Sequence, residues 1–189
     1  SNHLYQQVIA LDPGYAAAWE GLASNYCNQA FSGLRPIDEA IELAREAVNK
    51  ALALEPNSAS AYSRLSWIAL SYDLDMSTAA RHLEHALALE PANPDILVEA
   101  GLFVRRLGRL DQAIAIGEYQ IALDPINPYG HEILAYSYRS AGRLDDAIAT
   151  LRTLLRLSPD YLAGHEGIGR AVALALGAPR MLAKHALIR

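Results

Sequence analysis

Five prolines, Pro13, Pro56, Pro91, Pro125 and Pro159, close the runs IALDP, LALEP, LALEP, IALDP and RLSP, at spacings of 43, 35, 34 and 34 residues. A period near 34 marks stacked supersecondary units that bury their apolar faces only against one another. Proline cannot occupy a helix interior, so each of these ends one helix and opens a turn. Caps for the next helix are expected at Asn57 or Ser58, Asn93, Asn127 and Asp160. Gly108 and Gly142, in two GRL stretches, suit a left-handed C-cap and split each period into two helices. The second helices, DQAIAIGEYQIAL and DDAIATLRTLLRL, carry apolar residues three and four apart.

Trp19, Leu22 and Tyr26, with Ala23 after Leu22, stand at fixed places in a first helix. Ala44, Ala79, Ala113 and Ala147 each lie twelve residues before the next proline, and Val48, Leu83, Gly117 and Leu151 follow four residues on. Gly101 and Gly169 take the small-residue place of Ala23, where close helix approach is expected. This pattern resembles the tetratricopeptide repeat. Leu97, His131 and His165 replace the large aromatic, and Gly117 replaces the bulky residue. The resemblance implies an all-α, right-handed α-solenoid of antiparallel helix-turn-helix hairpins with about 11 helices. The expected organisation is a single array over 1–189. It comprises the second helix of a partial repeat at 3–12, repeats at 16–56, 59–91, 94–125 and 128–159, and a partial or off-phase repeat at 161–188. The missing first helix at the start suggests a piece of a longer protein.

Solenoids of this kind bind with the concave face lined by their first helices. Counting from each proline, the face is expected to hold Arg64 and Trp67, then Glu99, Arg105 and Arg106. It continues with Tyr129, Glu132, Tyr136 and Arg139, and ends with Arg170. The same count places Cys27, Ser63, Leu70, Val98 and Ile133 there. Some relatives of the repeat family hold a peptide C-terminus with Lys and Asn. Here the corresponding residues are Glu20, Ser63, Val98, Glu132 and Glu166, which argues against that clamp. Trp67 and Tyr136 beside arginines are candidate anchors for a protein or peptide segment, the competing reading of Trp67 being core packing against the next helix. Arg105 and Arg139 are 34 residues apart, as are Arg109 and Arg143, so with Arg106 they form a ridge able to hold an acidic peptide or phosphate. The competing reading is a solvated edge neutralised by Asp111, Asp145 and Asp146.

Other chemistry is not indicated. The formal charge of −5 disfavours nucleic acid as a partner. One cysteine, Cys27, excludes an internal disulfide and fits a cytoplasmic setting. No segment is apolar for long enough to insert into a membrane. His82 and His85, or His131 and His165, have no third ligand in sequence, so no metal is expected. Motifs for phosphate loops, zinc hydrolases or serine hydrolases are absent, and GHEGIG lies on an expected helix rather than after a strand. The chain is therefore expected to be a non-enzymatic interaction scaffold without cofactor. Alternatives are self-association through the repeat ends, or an accessory module of an enzyme domain outside this chain.

Residues 33–91, with the turn Tyr72, Asp73, Leu74 and Asp75, resemble a run found in bacterial multidomain signalling proteins. Arrays of that kind follow an adenylyl cyclase or winged-helix domain, which implies a regulatory part. The long first period places extra residues at a hairpin tip, where Gly33 ends one helix and Pro36 opens the next. Phe31 and Leu34 lie on that tip and are expected to fold back on the neighbouring repeat, or else to form a contact for a partner.

Overall fold

The computed structural model describes residues 2–176, and the expected helix after Gly177 lies outside them. Ten α-helices occur among the described residues: α1 (Asn2–Leu11), α2 (Ala16–Phe31), α3 (Ile37–Leu54), α4 (Ala59–Ile68), α5 (Met76–Leu89), α6 (Pro94–Arg106), α7 (Leu110–Leu123), α8 (Pro128–Ser140), α9 (Leu144–Leu157) and α10 (Leu162–Ala175). Every one of the five prolines falls between helices, and the fold is all-α as its period requires. Two compact units divide the chain, Ser1–Glu99 and Ala100–Arg189.

Local chemistry fixes the helix ends. Ser58, Asn93 and Asn127 cap α4, α6 and α8 through side-chain oxygens that accept from Ala61 N, Asp95 N and Tyr129 N. Each such cap is worth about 1 kcal/mol. Asp160 does not cap α10: the N-cap is Tyr161, which offers no side-chain bond. Caps fall two residues after each proline, and at that phase stand Ser58, Asn93, Asn127 and Tyr161. Gly33, Gly108 and Gly142 have φ of 68°, 74° and 75°, the left-handed C-cap geometry that ends α2, α6 and α8.

In the first unit, α2 and α3 form one hairpin and α4 and α5 another. Ala23, Ala44, Val48 and Ala51 lie at the centre of its core, fully buried, with Trp19, Leu65 and Trp67 packed around them. After α4 the helix widens to a π-helical segment, Ala69–Asp73. Leu74 then turns left-handed at φ 56°, and Asp75 caps α5 by accepting from Ser77 N and Thr78 N. Arg45 on α3 holds both carboxylate oxygens of Asp73 at 2.5 Å and ties this turn to the first hairpin.

In the second unit, Ile114, Leu134, Tyr138 and Ala147 form one core group, and Ala135, Leu151 and Leu154 another. Ala44, Ala79, Ala113 and Ala147, the in-phase alanines of both units, are all buried, so this position is where helices approach closely. Gly117 has a specific cause: a Cβ there would lie 3.3 Å from the Cα of Leu134 on α8. The close approach expected at Gly101 is not found. A Cβ there would meet Ile116 at an ordinary 3.7 Å, and one at Gly169 would meet nothing within 4 Å among the described residues. Gly101→Ala should therefore raise stability by about 0.5–1 kcal/mol through reduced backbone entropy cost. A higher urea midpoint would agree; a lower one would mean that α6 needs the glycine.

The hairpin tip also departs from expectation. Phe31 and Leu34 do not fold back: they are 85% and 80% exposed. Both sit beyond the last buried turn of α2, where Gly33 reverses the chain into solvent.

Candidate functional site

Position within the repeat decides which candidates are accessible. Cys27, Leu70, Val98 and Ile133 are buried, so they belong to the core and not to a binding face, whereas Ser63 is buried at the wall of a cleft. Glu132 is buried as well, and its Oε2 accepts a 2.6 Å hydrogen bond from the Tyr161 hydroxyl. Cys27, Leu70, Arg105 and Arg139 all lie fourteen residues after a proline. Cys27 and Leu70 end in the core at that place, whereas arginine's long stem carries its head outward. Arg105 and Arg139 are accordingly only partly buried.

In the second unit Arg139 lies against Tyr136, and Arg105 stands at the same phase one repeat earlier. The Arg139 guanidinium lies 4.7 Å from the Tyr136 ring centroid, in cation–π range. Burial lowers the Arg139 pKa, Tyr136 opposes this, and the charges of Arg170 and Arg105 lower it by smaller amounts. Burial also lowers the Arg105 pKa, with Arg106 adding repulsion. The Tyr136 phenol is pushed up by burial, then by the Glu132 charge and hydrogen bond. Burial and the hydrogen bond to Glu132 raise Tyr161 in the same way. Arg170 pairs with Glu166 at 2.8 Å one helical turn back. Within this unit, neither Arg105 nor Arg139 pairs with a carboxylate among the described residues. Arg143, part of the expected ridge, is neutralised by Asp146 at 2.7 Å. Tyr129 lies exposed at the start of α8.

The first unit holds a cleft of about 210 Å³ between α2 and α4, lined by Glu20, Ser24, Ser60, Ser63, Arg64 and Asp95, among others. Arg64 donates to Ser24 Oγ at 3.0 Å and lies 5.7 Å from the Trp67 ring centroid. Its buried Nε has no hydrogen-bond partner. Trp67 is partly buried, packing on the core and edge-on to Tyr72 at 5.3 Å, so it is a packing residue with one face toward Arg64. Glu99, at the end of this unit, is partly buried.

Of the four rings six residues after a repeat proline, Trp19, Tyr62, His131 and His165, all but Tyr62 share a bond. Trp19 Nε1 donates to Pro13 O at 3.1 Å, and His131 and His165 place Nε2 at 2.9 and 2.7 Å from Pro125 O and Pro159 O. Facing a carbonyl, each histidine must donate from Nε2. The histidines thus replace the aromatic as ring N–H donors. Among the described residues, no cluster of three or more His, Cys, Asp and Glu could hold a metal ion. No helix among them is long and apolar enough to cross a membrane.

Helical hairpins in register, with ring donors and small residues at fixed phase, define a helical-repeat protein. A profile described as tetratricopeptide repeat matches residues 75–130 and 132–179, more than half of the chain, and the chain belongs to that family. Among solved structures, it is similar to TTC0263, a thermophilic TPR protein in Thermus thermophilus, at 25% identity, 90% of this chain, 88% of that one and a TM-score of 0.74. It shares the fold of Pseudomonas aeruginosa pilF at 19% identity, with 86% of this chain and 69% of that chain covered and a TM-score of 0.68. It also shares the fold of YrrB, described as a TPR protein with an unusual peptide-binding site, at 18% identity, 87% and 80% coverage and a TM-score of 0.57. No curated protein matches the sequence. Family membership gives the general role, a scaffold for protein–protein interaction.

Proposed function

We propose that the chain binds a peptide or protein segment on the face of the second unit that carries Tyr136, Arg105, Arg139 and Arg170. The observation behind this reading is Tyr136 with a guanidinium stacked on it at 4.7 Å, beside a second partly buried arginine. An aromatic anchor flanked by arginine is the composition of binding hot spots. The likeness to YrrB, whose description includes a peptide-binding site, supports the same reading. The resemblance of residues 33–91 to bacterial signalling proteins supports a regulatory part of a larger protein as the setting.

Panning a random-peptide display library on the full chain tests the binding. Selected peptides should bind Tyr136→Ala roughly tenfold or more weakly than wild type. No enrichment, or equal binding by the variant, would sink this reading.

A further inference from the structure

Some of the arginines pair with an acid one helical turn away. Arg143 has Asp146 three residues on, and Arg170 has Glu166 four residues back. Arg105 and Arg139 have no acid at three or four residues in either direction: around Arg105 stand Gly101, Leu102, Gly108 and Arg109, and around Arg139 stand Ala135, Tyr136, Gly142 and Arg143. Both occupy the repeat position where Cys27 and Leu70 are core. Two like charges are thus held at the rim of an apolar interior and close enough to repel. Repulsion between partly desolvated charges is unfavourable until an anion arrives. The composition follows the same direction. Residues 1–99 contain thirteen acids and five bases, whereas residues 100–189 contain eight acids and eleven bases. The overall negative charge therefore conceals a second unit that is not acidic.

We infer that Arg105 and Arg139, beside Tyr136, form a receptor for an anionic side-chain group, a carboxylate or phosphoryl, on the bound segment. This rests on the binding reading above and names the chemistry of its ligand. The guanidinium forks supply paired N–H donors matched to two oxygens of such a group. The Tyr136 ring fixes the Arg139 plane by stacking, so less side-chain freedom is lost when the anion binds. Among the charged groups at this face, Glu166 is already engaged with Arg170, and the Glu132 carboxylate accepts from Tyr161. Neither neutralises the pair, which leaves its attraction for an incoming anion in place.

The test measures fluorescence anisotropy of labelled ten-residue peptides against the full chain. The peptides share one Gly-Ser frame and carry at alternate positions glutamate, phosphoserine, glutamine or lysine. Glutamate or phosphoserine peptides should bind roughly tenfold or more tightly than the glutamine peptide, and the preference should fall as NaCl rises from about 50 to about 500 mM. Whichever of the two anions binds more tightly identifies the source of the group. Arg105→Gln with Arg139→Gln should remove the preference while melting no lower than wild type, since it relieves repulsion. Arg143→Gln, already paired with Asp146, should keep it. Equal binding of acidic and glutamine peptides overturns the inference, as does an acidic preference that survives the double variant. If display selection yields binders without acidic residues, this inference fails while segment binding stands; if it yields none, the binding reading fails.

Discussion

Replacing Gly117 with leucine is expected to lower the stability of the folded chain by about 3 kcal/mol, the upper part of the range for overpacked cores. The equivalent position in other repeats carries Val48, Leu83 and Leu151, all buried, so bulk as such is compatible with the fold. At Gly117 the space is already taken. A Cβ would lie 3.0 Å from Leu134 Cδ1, 3.2 Å from its Cβ and 3.3 Å from its Cα. A side-chain methyl could rotate away, but the Cα belongs to the backbone of α8, so the helix itself would have to move. The gain in helix propensity on losing a glycine, about 1 kcal/mol, does not offset that. Leu134→Ala alone should also destabilise, by about 2–5 kcal/mol, because it leaves a cavity. Combined, the two changes should cost at least about 1 kcal/mol less than their sum, since the new leucine fills the space vacated. Urea denaturation followed by circular dichroism reads all three. An unchanged midpoint for Gly117→Leu, or strict additivity in the pair, would show that α7 and α8 do not compete for this volume.

Alkylation of the only cysteine should be slower in the folded chain than in the unfolded one by about a hundredfold or more at pH 8. Cys27 is fully buried in the core of the first unit, and burial raises its pKa from an ordinary 9.0 to about 11. The Glu99 charge adds to the rise, and Arg64 opposes it. Two pH units mean about a hundredfold less thiolate at a given pH, before access is considered. The same shift sets a pH dependence of stability. Below pH 9 the thiol is neutral in both states, and the folded state keeps its full stability. Between pH 9 and about 11 the unfolded thiol ionises first, and stability falls by up to roughly 3 kcal/mol. Iodoacetamide labelling monitored by mass spectrometry checks the rate. Comparison of Cys27→Ala with wild type across roughly pH 8–11 isolates the slope. Labelling of the native chain as fast as in urea would show that the interior of this unit opens readily.

Much of the fold was legible because its determinants are local. Proline excludes helix, a glycine at positive φ ends one, and a side-chain oxygen two residues after the proline starts the next. Asp160 is a good capping residue at the wrong phase: the position two after Pro159 belongs to Tyr161, whose hydroxyl instead reaches Glu132. Gly101 and Gly117 show the converse limit. Both are glycines in helices, and only the neighbour across the interface tells that one is needed for packing and the other is not. Phe31 and Leu34 do not fold back but stand exposed, the other of the two outcomes open to them, because apolarity alone does not say whether a surface lies within reach. For the candidate site, the shared phase of Arg105 and Arg139 was visible in the sequence, as was Tyr136. That the same phase buries Cys27 and Leu70 was not, because burial there depends on side-chain length. Nor did spacing reveal the cleft beside Arg64, which is lined by the short side chains of Ser24, Ser60 and Ser63.

The ring bonds to Pro13, Pro125 and Pro159 are a tether that two different side chains can supply. An indole N–H and an imidazole Nε2–H both donate to a carbonyl, so the contact asks for a ring donor at that place and not for one particular ring. Exchange between tryptophan and histidine therefore keeps a helix fastened to the turn before it while the bulk beside that turn changes.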